Sequence, residues 1–248
     1  MIKAAIFLTT FVILVLGQKH NGTEAPSPLG NDLNIMLQFI SDWSPKDNSW
    51  TYQTPVCQWA GVTCDSDGGA VTGFYAGDRG LTGTFNESNL PAALTFLNLR
   101  VNQLTGTLVL TALPSNLALL ELSNNQFTGT PILNALPAAL ASLYLNNNQL
   151  YGTPSLAGLP ANLTTLNLGA NYFTGTPLLN SLPAALTALY LNVNQFSGTP
   201  ILSDLPPNLA QADLTQNDFC GSTVINIPCA DILSDGACSG TTLTFRPC

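Results

Sequence analysis

Few residues of this 248-residue chain could do covalent chemistry, and their spacing works against it. Histidine occurs once, at His20, so a Ser or Cys nucleophile in the body of the chain has no imidazole to take its proton. Carboxylates for a glycosidase-type pair would have to come from Glu121, Asp204, Asp213 and Asp218. Glu121 and Asp213 hold equivalent places in a repeated unit, four units apart. With strands ~4.8 Å apart they stand roughly 19 Å from each other, too far to act on one bond. No Gly-rich segment follows a strand and opens a helix as a phosphate loop does. The six cysteines lack Cys-x-x-Cys pairs and a neighbouring His, so bridging is the expected role and no metal ligand is assigned. No cofactor and no catalytic residue is expected, and the chain reads as a non-enzyme. Lys and Arg total 6 against 14 Asp and Glu, a net charge of −8, and Arg100 is the one basic residue between Leu90 and Phe219. That excludes the basic stripe that nucleic acid requires, and makes an anionic membrane an unattractive partner.

What remains is recognition, and the residues that could perform it are set by a repeat. Leu-Pro pairs begin at Leu90, Leu113, Leu136, Leu159, Leu182 and Leu205, a fixed period of 23. An Asn follows each, from Asn102 to Asn217, and a Gly follows each Asn, from Gly106 to Gly221. Every copy reads L-x-x-L-x-L-x-x-N-x-(L/F)-x-G, except for Ala212 in the last. Counting back 23 residues uncovers a degenerate copy with Val71, Phe74, Ala76, Arg79, Leu81 and Gly83, making about seven coils. Arg79 stands where Asn is expected, so the hydrogen-bond ladder should be weaker there. Within one unit, Leu97 and Leu99 alternate with polar residues, the pattern of a strand with one buried face. Leu94, Leu97, Leu99, Leu104 and Asn102 are predicted to point inward, the Asn amide satisfying backbone groups of the turn. Leu110, Leu133, Leu156, Leu179 and Leu202 form a further inward column on the convex side.

This pattern is that of the leucine-rich repeat, whose period is roughly 20–29 residues. The expected fold is an α/β-type solenoid with a parallel sheet on its concave face, a helical N-terminal cap and a Cys-rich C-terminal cap. Ahead of the repeats stand Trp50 and then Cys57-Gln58-Trp59-Ala60-Gly61-Val62-Thr63-Cys64. This segment resembles the N-terminal cap of plant-type extracellular leucine-rich-repeat proteins, with their C-x-W-x-G-V-x-C signature. That resemblance implies a Cys57–Cys64 disulfide. The repeats also resemble the leucine-rich surface antigens of trypanosomatid parasites, with Leu-Pro before the strand and Phe127-Thr128-Gly129-Thr130 or Phe196-Ser197-Gly198-Thr199 after the Asn. The plant Ile before Pro is missing and the period is 23 rather than 24, so the extra lateral strand of plant-type coils is not implied. The resemblance covers about Asn31–Gly221.

The ends divide as follows. Residues 1–17 carry Lys3 and an apolar run too short to span a bilayer comfortably, and read as a signal peptide. A flexible leader over 18–30, a cap over 31–70, repeats over 71–221 and a second cap over 222–248 complete the division. Apolar Leu33, Met36, Leu37 and Ile40 predict a helix over Asp32–Trp43, capped by Asn31 or Asp32, that covers the open end of the first coil. Cys220 occupies the Thr/Ser place of the last coil, and the pairs Cys220–Cys229 and Cys238–Cys248 are expected. Asn21, Asn86 and Asn162 head glycosylation sequons. Ala230–Cys248 has no hydrophobic tail, so no lipid-anchor signal or membrane helix is expected there.

On the concave face the buried columns are invariant while the outward ones vary. Tyr75, Phe96, Asn98, Arg100, Leu119, Glu121, Tyr144 and Tyr190 are the predicted ligand-binding set. Aromatic residues and Arg are favoured interface anchors, although Tyr and Phe also have high strand propensity in their own right. The expected function is a secreted or cell-surface binding protein for a protein or glycoconjugate ligand. An inhibitor of a secreted hydrolase, as the plant resemblance implies, and a coat glycoprotein without a discrete ligand are the alternatives. Oligomeric state is not legible.

Overall fold

The computed structural model describes residues 28–226, 228, 232–233, 237–239 and 242–248. The predicted signal peptide, Asn21 and Cys229 lie outside the described residues. In chain order the first elements are helix α1 (Pro28–Phe39) and strands β1 (Val62–Cys64), β2 (Val71–Tyr75), β3 (Thr82–Thr84), β4 (Phe96–Asn98), β5 (Gln103–Thr107), β6 (Leu119–Glu121) and β7 (Gln126–Gly129). There follow β8 (Ser142–Tyr144), β9 (Gln149–Gly152), β10 (Thr165–Asn167), β11 (Tyr172–Gly175), β12 (Ala188–Tyr190) and β13 (Gln195–Gly198). The last are β14 (Gln211–Asp213), β15 (Asp218–Phe219), β16 (Ser222–Val224), β17 (Ile232–Leu233), β18 (Ala237–Ser239) and β19 (Thr242–Thr244).

One strand from each of seven coils enters a nine-stranded concave sheet, in the order β1-β2-β4-β6-β8-β10-β12-β14-β17. The seven pair in parallel with every residue displaced by one repeat, as in Leu97↔Leu120 and Leu166↔Leu189. β1 closes the N-terminal edge antiparallel to β2, and β17 adds a parallel strand beyond β14. A second, seven-stranded parallel sheet, β15-β13-β11-β9-β7-β5-β3, lies beside the first. This lateral sheet is present even though the plant Ile-Pro step is missing. Its cause is a local alternation after each Asn: Gln103 and Thr105 face solvent while Leu104 faces the core. The predicted inward apolar columns are buried throughout, including Leu110, Leu133, Leu156, Leu179 and Leu202, whereas the Asn column is buried from Asn102 to Asn171 and half-buried at Asn194 and Asn217.

Within each coil the repeated Asn ties neighbouring coils together. Asn148 Nδ2 donates to the carbonyls of Leu122, Leu145 and Asn146 at 3.1, 3.0 and 3.3 Å, and its Oδ1 accepts from Phe127 N at 3.0 Å. Asn125 and Asn171 repeat this set one coil away on either side. At the degenerate coil Asn102 Oδ1 accepts from both Arg79 N and Leu81 N. The Arg79 side chain leaves the ladder and turns to the cap, pairing with Asp47 at 2.8 Å and lying over the Trp50 ring at 5.2 Å. Hydrogen bonds from the Ser49 hydroxyl and amide, and then Arg79, hold the Asp47 carboxyl below its usual range. A depressed carboxyl stabilises the fold above its unfolded pKa, so this clamp loosens only as acid brings the pH down through the folded value.

The residue before each ladder position is left-handed although it is not glycine: Asp78, Val101, Asn124, Asn147, Ala170, Val193 and Gln216 have φ between 52° and 57°. Asn suits this region and a β-branched residue does not. Val101→Asn and Val193→Asn, both at exposed positions, should each raise stability by about 1 kcal/mol, the relief of one unfavourable left-handed residue. Chemical denaturation with unchanged m-value checks this. The Gly-Thr step that follows has its own packing cause. A Cβ on Gly152 (φ 82°) would collide with the Thr130 side chain of the preceding coil, and one on Gly198 with Thr176. These threonines donate across the step to the carbonyls of Tyr151 and Ser197, at 2.8 Å each.

Both ends are sealed by aromatic clusters. Helix α1 begins at Pro28, ahead of the predicted start, because Pro serves well in a first turn. Asp32 therefore sits within the helix rather than capping it, and its carboxylate accepts from Val71 N at 2.8 Å, tying the helix to β2. Phe39, Trp43, Trp50 and Phe74 pack ring on ring, with centroids 4.8–6.4 Å apart. Cys57 and Cys64 are disulfide-bonded. At the other end the expected pairing is corrected: Cys220 bonds Cys248, which rules out both Cys220–Cys229 and Cys238–Cys248. The reason is the register of the C-terminal hairpin. β19 runs antiparallel to β16 with Ser222↔Thr244, and this brings Arg246 and then Cys248 back beside Cys220. Phe219 packs between Phe196 and Phe245 beneath this strap.

Candidate functional site

The outward side chains of β2, β4, β6 and β8 place most of the predicted set on one surface. Phe96 and Leu119 are direct cross-strand partners, and both are half-buried. Beside them Tyr75, Asn98, Glu121 and Tyr144 stand in one row, each opposite the next. Tyr75 is 39% exposed. Arg100 projects just beyond this row, over Gly77, where a Cβ would come within 3.1 Å of its Cγ. Tyr190 is set apart, two strands beyond Tyr144, with Asn167 between.

The row has a division that its residue types conceal. Asn98, Glu121, Asn167 and Asp213 each turn one oxygen onto the amide two residues later, at 2.9–3.1 Å. They thereby brace the backbone just before the left-handed turn. The amide nitrogens of Asn98 and Asn167 and the second oxygen of Glu121 remain available. The three tyrosines of the row make no such bond, and Tyr190 instead donates its hydroxyl to Gln211 Oε1 at 2.8 Å. Among the described residues the only ion pairs are Arg79–Asp47 and Arg246–Asp218, so neither Arg100 nor Glu121 has a charge partner. The face also carries Asn146, Asn167 and Asn192, all outside the predicted set. Their signal was in the sequence as an Asn recurring at outward strand positions.

Other predicted sites lie elsewhere. Asn86 is exposed and accepts from Ser88 N at the start of a 3-10 turn, and Asn162 is exposed with its Nδ2 donating to the Ala138 carbonyl at 3.0 Å. Glu121 and Asp213 are separated by three intervening strands of the same sheet. Among the described residues no three His, Cys, Asp or Glu side chains gather as a metal site, and no helix is long and apolar enough to cross a membrane.

Comparison with known proteins places this architecture. Residues 29–65 match the leucine rich repeat N-terminal domain. HAESA, an Arabidopsis receptor kinase solved in complex with the peptide hormone IDA and the co-receptor SERK1, superposes with a TM-score of 0.60 at 26% identity, over 81% of this chain and 39% of that one. The chain has the leucine-rich-repeat fold. A pollen receptor kinase 3 structure resembles this leucine-rich-repeat chain with a TM-score of 0.56 at 29% identity, over 81% of this chain and 91% of that one. An inactive leucine-rich repeat receptor-like serine/threonine-protein kinase of Arabidopsis thaliana is 30% identical over 109 residues, which is 42% of this chain. The chain spans 18% of the length of that curated relative. These relatives are plant receptor proteins, and they give no support to the likeness to trypanosomatid antigens.

Proposed function

We propose that this leucine-rich-repeat protein is a non-catalytic binding module, secreted or held at the cell surface, that recognises a protein partner through the N-terminal half of its concave sheet. The observation that carries the reading is the Phe96–Leu119 pair, an apolar patch flanked by Arg100 and Glu121, neither of which has an ion-pair partner among the described residues. Apolar anchors ringed by orienting polar groups are the usual energetic centre of an interface, and a preformed surface loses little conformational entropy on binding. Two disulfides, the cap match and the predicted signal peptide support an extracellular setting. The likeness to ectodomains such as HAESA supports a peptide or protein as the ligand class.

Affinity capture from extracellular material with the immobilised mature chain, followed by titration of the captured partner, tests this. Phe96→Ala and Leu119→Ala should each weaken binding by about 1–3 kcal/mol, the range for central anchors, while Ser155→Ala on the convex side should have no effect. Full affinity in both concave variants would refute the reading.

A further inference from the structure

The concave sheet changes character from β8 onward. We propose that its C-terminal half, across β8, β10 and β12, is a subsite for a neutral oligosaccharide, a free strand of β-1,4-linked hexoses lying along the stacking axis. The proposal rests on the concave sheet being the binding face, and adds a second ligand class on different residues.

Three observations converge. First, the outward side chains of these strands carry no charge, whereas Glu121 and Asp213 border them on either side in the same row. Carboxylates at both borders repel an anionic chain and leave a neutral one unopposed. Second, planar amides are available in number. The side chains of Asn146 and Asn192 have no hydrogen-bond partner within the described residues, and Asn167 spends only its oxygen, on Gly169 N at 3.1 Å. Gly169 lies between Asn146 and Asn192, and the Asn192 amide leans over it, its Oδ1 2.6 Å from where a Cβ would stand. An amide offers both a donor and an acceptor, the pairing that vicinal hydroxyls need. Third, Tyr144 and Tyr190 stand two strand steps apart, about 9.6 Å, close to the repeat of a β-1,4-linked disaccharide. Both rings are half-buried, and Tyr190 is held by its bond to Gln211. Two rings at that interval can each receive the apolar face of alternate sugars, with the Asn167 amide beneath the sugar between them.

Isothermal titration of the intact mature chain with cellohexaose, mannohexaose and a galacturonic acid hexamer tests the subsite. The expected result is saturable binding of at least one neutral hexasaccharide and none of the acidic one. Tyr144→Ala or Tyr190→Ala should weaken it about tenfold, while Tyr144→Phe, which keeps the ring, should retain it. Phe96→Ala should leave it unchanged. The subsite is refuted if neither neutral sugar binds, if binding ignores both tyrosines, or if the acidic hexamer binds as well. Protein capture that depends on Phe96 without any saccharide binding would refute the subsite alone, and leave the protein-binding reading standing.

Discussion

Leu145→Asp should leave the chain without its cooperative melt. Leu145 is fully buried in the inward column, with Leu122 and Leu168 in the coils on either side. A carboxylate there has no cation within the core and no water, so it either stays charged at great cost or takes up a proton and still lacks a partner. The loss should exceed about 4–5 kcal/mol, the range reserved for buried unpaired charge and large cavities. Because each coil touches only its neighbours, the damage divides the stack rather than lowering every coil equally. Circular dichroism should show an early, broadened transition, and hydrogen exchange should place the first opening around β8. Leu145→Met, similar in volume and apolar, should cost less than about 1.5 kcal/mol. A parent-like melt for Leu145→Asp would overturn the inward assignment of the column.

The second large effect is expected at Asn148→Ala. This side chain makes four hydrogen bonds to backbone groups of two coils, and is 7% exposed. Alanine strands the Phe127 amide in a site that water reaches poorly, while the Leu122 carbonyl keeps only its bond from Asn125 Nδ2. At about 1–3 kcal/mol for the stranded amide and about 0.5–1.5 kcal/mol for each of the three other bonds lost, the expected loss is about 3–7 kcal/mol. Asn217→Ala removes a comparable set at a more exposed place near the C-terminal end, and should cost less. Denaturant titration of both variants decides the order. Equal losses would mean that burial does not set the value of the ladder.

The inward columns and the Asn ladder were legible because each demand recurs at an unbroken interval, so a single residue type repeats. The degenerate coil was legible for the same reason, from Val71, Phe74 and Leu81. The lateral sheet was not expected, because the plant Ile-Pro step is missing, although its alternation, Gln103-Leu104-Thr105, is as regular as that of the concave strands. Its signal is short, and it follows a turn whose geometry depends on a left-handed residue. That residue is Val at positions 101 and 193, a type that propensity argues against, so tertiary context overrode local preference. The C-terminal disulfide was misread because nearness in sequence favoured Cys229. A hairpin register decided it, and register is a property of paired strands rather than of spacing. On the concave face the positions of Phe96, Leu119 and Tyr144 were legible from alternation alone. That Asn98 and Glu121 brace the backbone was not, since an outward polar residue reads alike whether it meets solvent, ligand or its own chain.

The identical offsets of the ladder bonds bear on heredity. Every ladder Asn from 125 to 217 reaches back to the same relative positions, so a rung does not depend on which coil it belongs to. Excision or duplication of 23 codons anywhere within the regular block brings two compatible rungs together with no seam. Unequal crossing-over in such a gene yields foldable products, and what it reshuffles is the row of outward residues. The architecture separates what must be kept from what can be tried, and lets recognition drift by whole units while the scaffold is inherited intact.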